Sequence, residues 1–268
     1  MSNGAPVLHT LEVGDAGEPV VLLHSGGLSS RQWTRLAREL GRTHRAVAPD
    51  FIGYGGSPAA PSDAAFSWRD DVTAVLALVD QLGGAAHLVG HSYGGLVALG
   101  AALERPAAAL SLALVEPVAF GVLYDAGEAE ALADLPQDPA FYDDPTGGDA
   151  RWLTGFVDYW SGPGAFASLP GPARASWLAV GRKVFLEVRS LMNDRTPRAA
   201  YAAINSPTLL VSGALSRVAA RRTCAILAGA MPRAEHVEIA GAGHMSPLTH
   251  AAEVNALVAA HVRAAPAP

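Results

Sequence analysis

Short apolar runs alternate with helical patterns along most of the 268-residue chain, and this alternation limits the possible folds more than any other feature. The apolar runs are predicted to be strands at 19–24, 44–50, 86–92, 110–116, 207–213 and 234–241. The helical patterns cover 29–40, 67–83, 93–106, 217–229 and 247–262. Buried strands separated by helices form a largely parallel sheet that is covered on both faces. The sequence therefore predicts an α/β fold with helices on both faces of a mostly parallel sheet.

Residues 118–205 interrupt this alternation. The segment is helical in pattern, is broken by Pro- and Gly-rich stretches, and holds 12 of the 18 aromatic residues of the chain. We predict a helical cap at 118–205, inserted into a core formed by 1–117 and 206–268. Within the cap, Tyr159 and Trp160 are predicted to contact the substrate, since aromatic rings combine apolar surface with a hydrogen-bonding edge. Extra core helices are the alternative interpretation.

Composition excludes several classes of function. The net charge of −6 argues against a nucleic-acid partner, because phosphate binding needs a basic face. A single cysteine, Cys224, excludes an internal disulfide and a multi-cysteine metal site, and the nine histidines show no paired zinc-ligand spacing. No apolar run is long enough to span a membrane, and the N-terminal residues do not resemble a signal peptide, so a cytoplasmic protein without a membrane partner is expected.

The segment VGHSYGG, residues 89–95, places a serine between a predicted strand and a predicted helix. A Gly-x-Ser-x-Gly turn in this context forces a strained backbone at Ser92 and needs glycine on both sides of it. The hydroxyl is then exposed at the sheet edge and at a helix N-terminus, which favours a developing negative charge. The pattern predicts that Ser92 is a nucleophile; a glycine-rich turn without chemistry is the alternative.

An earlier loop, HSGG at 24–27, ends a strand that is expected to reach the same edge. Its Gly26 N–H, or that of Gly27 in its place, can lie beside Ser92. Together with the Tyr93 N–H it would supply two donors for a tetrahedral oxyanion. A tight turn in which glycine serves only the geometry is the alternative.

The loop GAGHMSP, residues 241–247, follows the last predicted strand. His244 can take the proton of the Ser92 hydroxyl and return it to a leaving group, which makes it the predicted acid–base residue. Here the alternative is a loop histidine with ordinary hydrogen bonds. His24 and His91 lie at strand ends beside these loops and are predicted to be structural.

These loops, together with DFIGYGGS at 50–57, resemble those of the α/β-hydrolase superfamily over almost the whole chain. The resemblance implies the fold and a Ser–His–acid hydrolase more firmly than it implies a substrate. Family members usually carry the acid after the strand that follows the cap, where this chain has Ser216. No Asp or Glu occurs between Arg195 and Ala234.

Glu116 is the predicted acid in its place. It ends the strand LSLALVE, which should reach the same sheet edge as Ser92, and a charge there is costly unless it is paired. Some family members, including a group of haloalkane dehalogenases, carry their acid at the equivalent position. Asp194 is the weaker candidate, and a surface or hinge role for Glu116 is the structural alternative.

The sequence thus predicts a carboxylic ester hydrolase that acts on a small-molecule substrate through an acyl-enzyme and needs no cofactor or metal. Aspartate-based dehalogenase or epoxide hydrolase chemistry is disfavoured, because Ser92 occupies the nucleophile position. Lactone opening, carbon–carbon bond hydrolysis, perhydrolysis, acyl transfer and a non-catalytic ligand receptor stay open. The natural substrate and the oligomeric state are not indicated by the sequence.

Overall fold

A computed structural model of the chain describes residues 6–60, 66–143 and 145–265. The described residues form one seven-stranded sheet with the order β1-β3-β2-β4-β5-β6-β7. The strands are β1 (Thr10–Val13), β2 (Pro19–Leu23), β3 (Arg45–Pro49), β4 (Ala86–His91), β5 (Ala109–Val115), β6 (Thr208–Gly213) and β7 (Ala234–Ile239). Strands β2 to β7 pair in parallel. The predicted α/β fold with a mostly parallel sheet is confirmed.

Strand β1 is an element that the sequence pattern did not predict. It pairs antiparallel to β3, from Thr10 opposite Pro49 to Val13 opposite Ala46. Its four residues are partly or largely exposed. An edge strand of this kind lacks the continuous apolar run by which the buried strands were found.

Twelve α-helices occur within the described ranges. They are α1 (Thr34–Leu40), α2 (Trp68–Gln81), α3 (Tyr93–Glu104), α4 (Gly121–Ala126), α5 (Ala129–Asp134), α6 (Ala140–Asp143), α7 (Ala150–Ser161), α8 (Gly171–Leu191), α9 (Arg198–Tyr201), α10 (Val218–Ala230), α11 (Ser246–Thr249) and α12 (Ala251–Ala264). The predicted helix at 29–40 begins as a 3₁₀ turn, Ser30–Trp33, before α1. The predicted helix at 247–262 is two helices, because His250 leaves the helical conformation between α11 and α12.

Each face of the sheet packs on its own layer of helices. Along β2, Val20 and Leu22 belong to the apolar cluster that contains residues of α1 and α12. Val21 and Leu23 belong to the other cluster, with residues of α2, α3 and α10. Alternate residues of a strand point to opposite faces, so a strand that is buried on both sides must be apolar throughout.

The strand order reverses beside β2, which has β3 on one side and β4 on the other. The loops after β2 and β4 therefore leave the sheet next to each other at its carboxyl edge. A crevice at such a reversal is the usual place for a ligand in an open α/β sheet. The sequence-predicted loops 24–27 and 89–95 both begin there.

Helices α4 to α9 all lie between β5 and β6, within the segment predicted to be a cap. The division into a 118–205 cap and a 1–117 plus 206–268 core stays a prediction. Residues 1–5, 61–65 and 266–268 of that core, and residue 144 of the cap, lie outside the described residues. Among the helices that the structure describes, none is both long enough and apolar enough to cross a membrane.

Candidate active site

Ser92 lies in the tight turn between β4 and α3, with a backbone that L-residues rarely adopt. Its φ and ψ are 55° and −115°. A Cβ on Gly90 would lie 2.6 Å from the Gly94 carbonyl carbon, and a Cβ on Gly94 would lie 2.6 Å from the His24 carbonyl oxygen. Both glycines are therefore required by close backbone packing, and the turn holds the Ser92 side chain at the end of α3.

Three sequence-predicted side chains from three loops meet at this point. His244 Nε2 lies 3.1 Å from Ser92 Oγ, and His244 Nδ1 lies 2.6 Å from Glu116 Oε2. The residues are 7%, 3% and 0% exposed for Ser92, His244 and Glu116. An ionised carboxylate accepts only, so Nδ1 carries the imidazole proton and Nε2 is free to accept the Ser92 proton. The arrangement can transfer that proton.

Glu116 is held in place by a second hydrogen bond and by its own backbone. Its Oε1 accepts from the Gly213 N–H at 2.7 Å, and its φ is +43°. Burial acts to raise the pKa of Glu116, but His244, the Gly213 N–H and the nearby Ser216 hydroxyl hold that pKa below its ordinary value. The carboxyl group is therefore ionised near neutral pH.

Asp194, the weaker candidate for the acid, does not contact His244. Its Oδ1 accepts from the Thr196 hydroxyl at 2.8 Å and lies 3.8 Å from an Arg69 guanidinium nitrogen. The structure brings Glu116, and not Asp194, to His244. Ser216, a half-buried residue whose hydroxyl oxygen is buried, occupies the position where the family usually has its acid.

Two backbone N–H groups beside Ser92 are available to a ligand. Within the described part of the chain, the N–H groups of Gly26 and Tyr93 have no hydrogen-bond acceptor. The N–H of Gly27, the alternative to Gly26, donates to the Tyr54 hydroxyl at 3.1 Å. The geometry thus favours Gly26 over Gly27 as a free donor.

His24 and His91 brace the loops around the site. His24 Nδ1 donates to the Ser25 carbonyl at 2.8 Å and Nε2 accepts from the Phe51 N–H at 3.1 Å. Burial lowers the pKa of His24 to about 4. His91 Nε2 donates to the backbone carbonyl of His244 at 2.9 Å, and burial, followed by His244, holds the pKa of His91 well below its ordinary value. Both imidazoles are neutral at physiological pH.

An apolar cavity opens from Ser92 into the helices of the 118–205 segment. It contains about 520 Å³ of empty space, counting its mouth. Tyr159 and Trp160 both line it, as does Glu187. The Trp160 ring stacks on the His244 ring with centroids 3.8 Å apart, and the Tyr159 hydroxyl is buried without a hydrogen-bond partner among the described residues. Both predicted substrate-binding residues therefore face the cavity.

Sequence reasoning missed a buried ionic cluster next to this cavity. Lys183 Nζ donates to Asp71 Oδ2 at 2.8 Å and to Glu187 Oε1 at 2.7 Å. The Tyr93 hydroxyl donates to Asp71 Oδ2 at 2.6 Å, and the Tyr54 hydroxyl donates to Glu187 Oε2 at 2.9 Å. We refer to Asp71, Lys183, Glu187 and the two tyrosines as the Lys183 cluster.

The charges of the Lys183 cluster balance only while Glu187 is protonated. Burial raises the pKa of Glu187 to about 7, against the opposing effect of Lys183. Burial lowers the pKa of Lys183, but Asp71 and Glu187 more than compensate and raise it above its ordinary value. Burial also keeps the pKa of Tyr54 and of Tyr93 well above the ordinary value, so both hydroxyls stay neutral. One cation thus faces two carboxyl groups.

A separate group of side chains that could hold a metal ion lies at the other end of the sheet. Glu18, His44 and His87 place one potential ligand atom each within 4.8 Å of one another. His87 Nε2 is 3.1 Å from Glu18 Oε2, and its Nδ1 is 2.8 Å from the Ser111 hydroxyl. The group lies at the amino ends of the strands, so it forms no part of the Ser92 site.

Comparison with known proteins identifies the family of the chain. The sequence model of the alpha/beta hydrolase family matches residues 20–257. The chain belongs to the alpha/beta hydrolase family. A structure of the enol-lactonase from Burkholderia xenovorans LB400 superposes with a TM-score of 0.75 over 96% of each chain at 20% identity, a likeness that concerns the fold alone.

Two curated proteins are similar to parts of this alpha/beta hydrolase. Lipase LipV of Mycobacterium tuberculosis (strain ATCC 25618 / H37Rv) is 37% identical over 153 residues, which are 55% of this chain and 55% of that protein. Fluoroacetate dehalogenase of a Burkholderia species is 34% identical over 117 residues, 42% of this chain and 38% of that protein. The chain thus covers about half of the first relative and less of the second, and their named activities differ.

Proposed function

We propose that this alpha/beta hydrolase cleaves small ester-like substrates through an acyl-enzyme formed on Ser92. The observation that supports this most strongly is the unbroken series of contacts from Ser92 Oγ to His244 and from His244 to Glu116. A buried serine hydroxyl becomes nucleophilic when a neighbouring base can remove its proton. Here the serine itself lines an apolar cavity that can hold an acyl group.

In the first half of the reaction, Ser92 Oγ attacks the substrate carbonyl and His244 Nε2 takes its proton. Glu116 keeps the imidazole in the tautomer that can accept this proton and stabilises the imidazolium that forms. The N–H groups of Gly26 and Tyr93 donate to the oxyanion. When the tetrahedral intermediate collapses, His244 returns the proton to the departing alcohol and the acyl group stays on Ser92.

In the second half, His244 removes a proton from water, which attacks the acyl carbonyl. Collapse of the second intermediate releases the acid and returns the proton to Ser92. Helices of the 118–205 segment act as a cap in this proposal, since Trp160 covers His244 and the cavity extends beneath them. An enclosed site limits the access of bulk water to the acyl-enzyme.

The test is rapid mixing of the purified enzyme with p-nitrophenyl acetate. We expect a burst of p-nitrophenol close to one equivalent per site if deacylation is slower than acylation, and steady turnover in either case. A serine-directed fluorophosphonate should label Ser92, as read by peptide mass spectrometry. Ser92→Ala should fold normally and lose both turnover and labelling.

A folded Ser92→Ala protein that retains near-normal turnover would contradict the nucleophile assignment. A wild-type protein that binds esters and lactones but hydrolyses none of them would instead favour the non-catalytic receptor. Parallel assays with p-nitrophenyl esters and with simple lactones separate ester cleavage from lactone opening on the same residues.

A further inference from the structure

The wall of the active-site cavity is apolar except at a few points. Most of its lining comes from aliphatic and aromatic side chains, and Glu187 is the one carboxyl group among the described residues that line it. Glu187 is 1% exposed, so its charge is not solvated by bulk water. A buried carboxyl group in an apolar wall is costly, and such a group often marks a binding function.

Glu187 reaches the part of the cavity that adjoins Ser92. A Cβ on Gly26 would lie 2.7 Å from Glu187 Oε2, so only the absence of a side chain at Gly26 leaves room for this oxygen. Gly26, Ser92 and Glu187 line the same cavity. A substrate whose carbonyl oxygen binds the Gly26 N–H therefore passes close to the Glu187 carboxyl group.

The carboxyl group retains capacity for a further hydrogen bond. Each oxygen of an ionised carboxylate can accept about two hydrogen bonds. Within the described residues, Oε1 accepts from Lys183 and Oε2 accepts from the Tyr54 hydroxyl, one donor for each oxygen. The remaining lone pairs are available to a donor that enters the cavity.

The charge of the surrounding cluster indicates which donor suits the site. Lys183 is the one cation that contacts Asp71 or Glu187 among the described residues, and neither Tyr54 nor Tyr93 adds a charge. With both carboxyl groups ionised the cluster carries one net negative charge. A ligand cation would complete it, whereas a ligand carboxylate would add a second unpaired negative charge in a low-dielectric site.

We propose that Glu187 determines specificity by accepting a hydrogen bond from a protonated amino group of the substrate, and that it disfavours substrates that carry a carboxylate there. The inference rests on the proposed function, because it places the substrate carbonyl at Ser92. It defines the substrate class as small esters with a cationic amine in the part that enters the cavity.

The test compares three ethyl esters that differ only in their terminal group. Ethyl 4-(dimethylamino)butanoate carries a protonated amine, ethyl 5-methylhexanoate is its neutral isostere, and monoethyl glutarate is the carboxylate of matching length. The homologous trio with one methylene fewer covers a shorter span. We expect kcat/KM of the wild-type enzyme to decrease from amine to neutral to carboxylate ester, by roughly tenfold or more at each step in at least one trio.

Two variants assign the selectivity to a residue. Glu187→Gln removes the charge at similar size, and the amine-to-neutral ratio should fall to near one. Asp71→Asn leaves the Glu187 carboxyl group in the cavity but lets Lys183 pair with it alone, so the ratio should decrease, though by less than in Glu187→Gln. Because each ratio is taken within one variant, general damage to the site cancels. Circular dichroism verifies that each variant is folded.

Equal or reversed selectivity of the wild-type enzyme in both trios would overturn the inference, as would selectivity that is unchanged in Glu187→Gln. The proposed function is tested separately, since turnover of p-nitrophenyl acetate requires Ser92. That turnover does not depend on whether Glu187 selects between charged and neutral substrates. If no ester is turned over, the affinity of the wild-type protein for the same esters is measured by calorimetry. The inference then requires affinity to decrease from the amine ester to the neutral ester to the carboxylate ester, and any other order overturns it.

Discussion

Replacing Glu116 with glutamine is the sharpest test of the candidate site, because the structure fixes how the amide must lie. Glu116 Oε1 accepts from the Gly213 N–H at 2.7 Å, and Oε2 faces His244 Nδ1 at 2.6 Å. Only an amide oxygen can satisfy the Gly213 N–H. In Glu116→Gln the amide NH₂ group is therefore directed at His244 Nδ1.

This orientation reverses the histidine tautomer. An NH₂ donor at Nδ1 requires that nitrogen to accept, so the proton moves to Nε2 and points at Ser92. His244 can then no longer take the Ser92 proton. The corresponding change in a serine protease lowers kcat by about 10⁴-fold, and we expect a decrease of roughly 10³–10⁴-fold here. This is about 4–5.5 kcal/mol of lost transition-state stabilisation.

The assay is steady-state hydrolysis of p-nitrophenyl butanoate by variants whose fold is verified by circular dichroism. Asp194→Asn is the matched control, since it makes the same chemical change outside the site, and its kcat should stay within about twofold of wild type. A folded Glu116→Gln protein with kcat within about tenfold of wild type would refute the reasoning. In Glu116→Gln with Ser216→Asp, a partial recovery of kcat would show that His244 requires a carboxylate.

Three further outcomes are expected. Short acyl esters should be hydrolysed better than long ones, because helices of the 118–205 segment bound the cavity beside Ser92; a steady rise of kcat/KM toward dodecanoate would contradict this. Gly94→Ala should destabilise the fold by about 1–3 kcal/mol in urea unfolding, since its Cβ would meet backbone carbonyls of the β2 loop, whereas Gly229→Ala, with open space around it, should not. Glu187 should lower folding stability as pH rises from 4.5 to about 7, by about 3 kcal/mol, because the unfolded carboxyl group releases its proton first. The melting temperature of Glu187→Gln relative to wild type should therefore increase between about pH 5 and pH 8, and a constant difference would contradict this.

Residues whose role depends on local chain geometry could be predicted from the sequence. The Gly-x-Ser-x-Gly turn is short, and its glycines are required by contacts within a few residues or with the adjacent β2 loop. His244 follows a strand whose end had to reach the same sheet edge. Glu116 could be singled out because no Asp or Glu occurs between Arg195 and Ala234, where an acid was expected, and the structure brings Glu116 to His244.

The Lys183 cluster could not be predicted by the same reasoning. Lys183 and Glu187 are four residues apart on α8, a spacing that is typical of an exposed helical ion pair. Asp71 lies in the first turn of α2, where an acid is expected to interact with the helix dipole. Their burial together arises from packing of α8 against α2, which joins Asp71 to Lys183 across 112 residues of chain. No short sequence pattern predicts that contact between α2 and α8.

The two buried glutamates near the active site, Glu116 and Glu187, have pKa values that are shifted in opposite directions. Their surroundings explain the difference. Glu116 accepts from a backbone N–H and from an imidazole that gains charge during the proposed reaction, and its pKa lies below the ordinary value. Glu187 shares one lysine with Asp71, and its pKa is raised to about 7. Environments that move the pKa values of two carboxyl groups in opposite directions suit the two groups to different tasks. A group that must hold an imidazolium has to stay ionised throughout, whereas one that awaits a ligand cation is fully charged only when that cation is bound. Glu116 thus fits the proton-transfer step and Glu187 fits recognition.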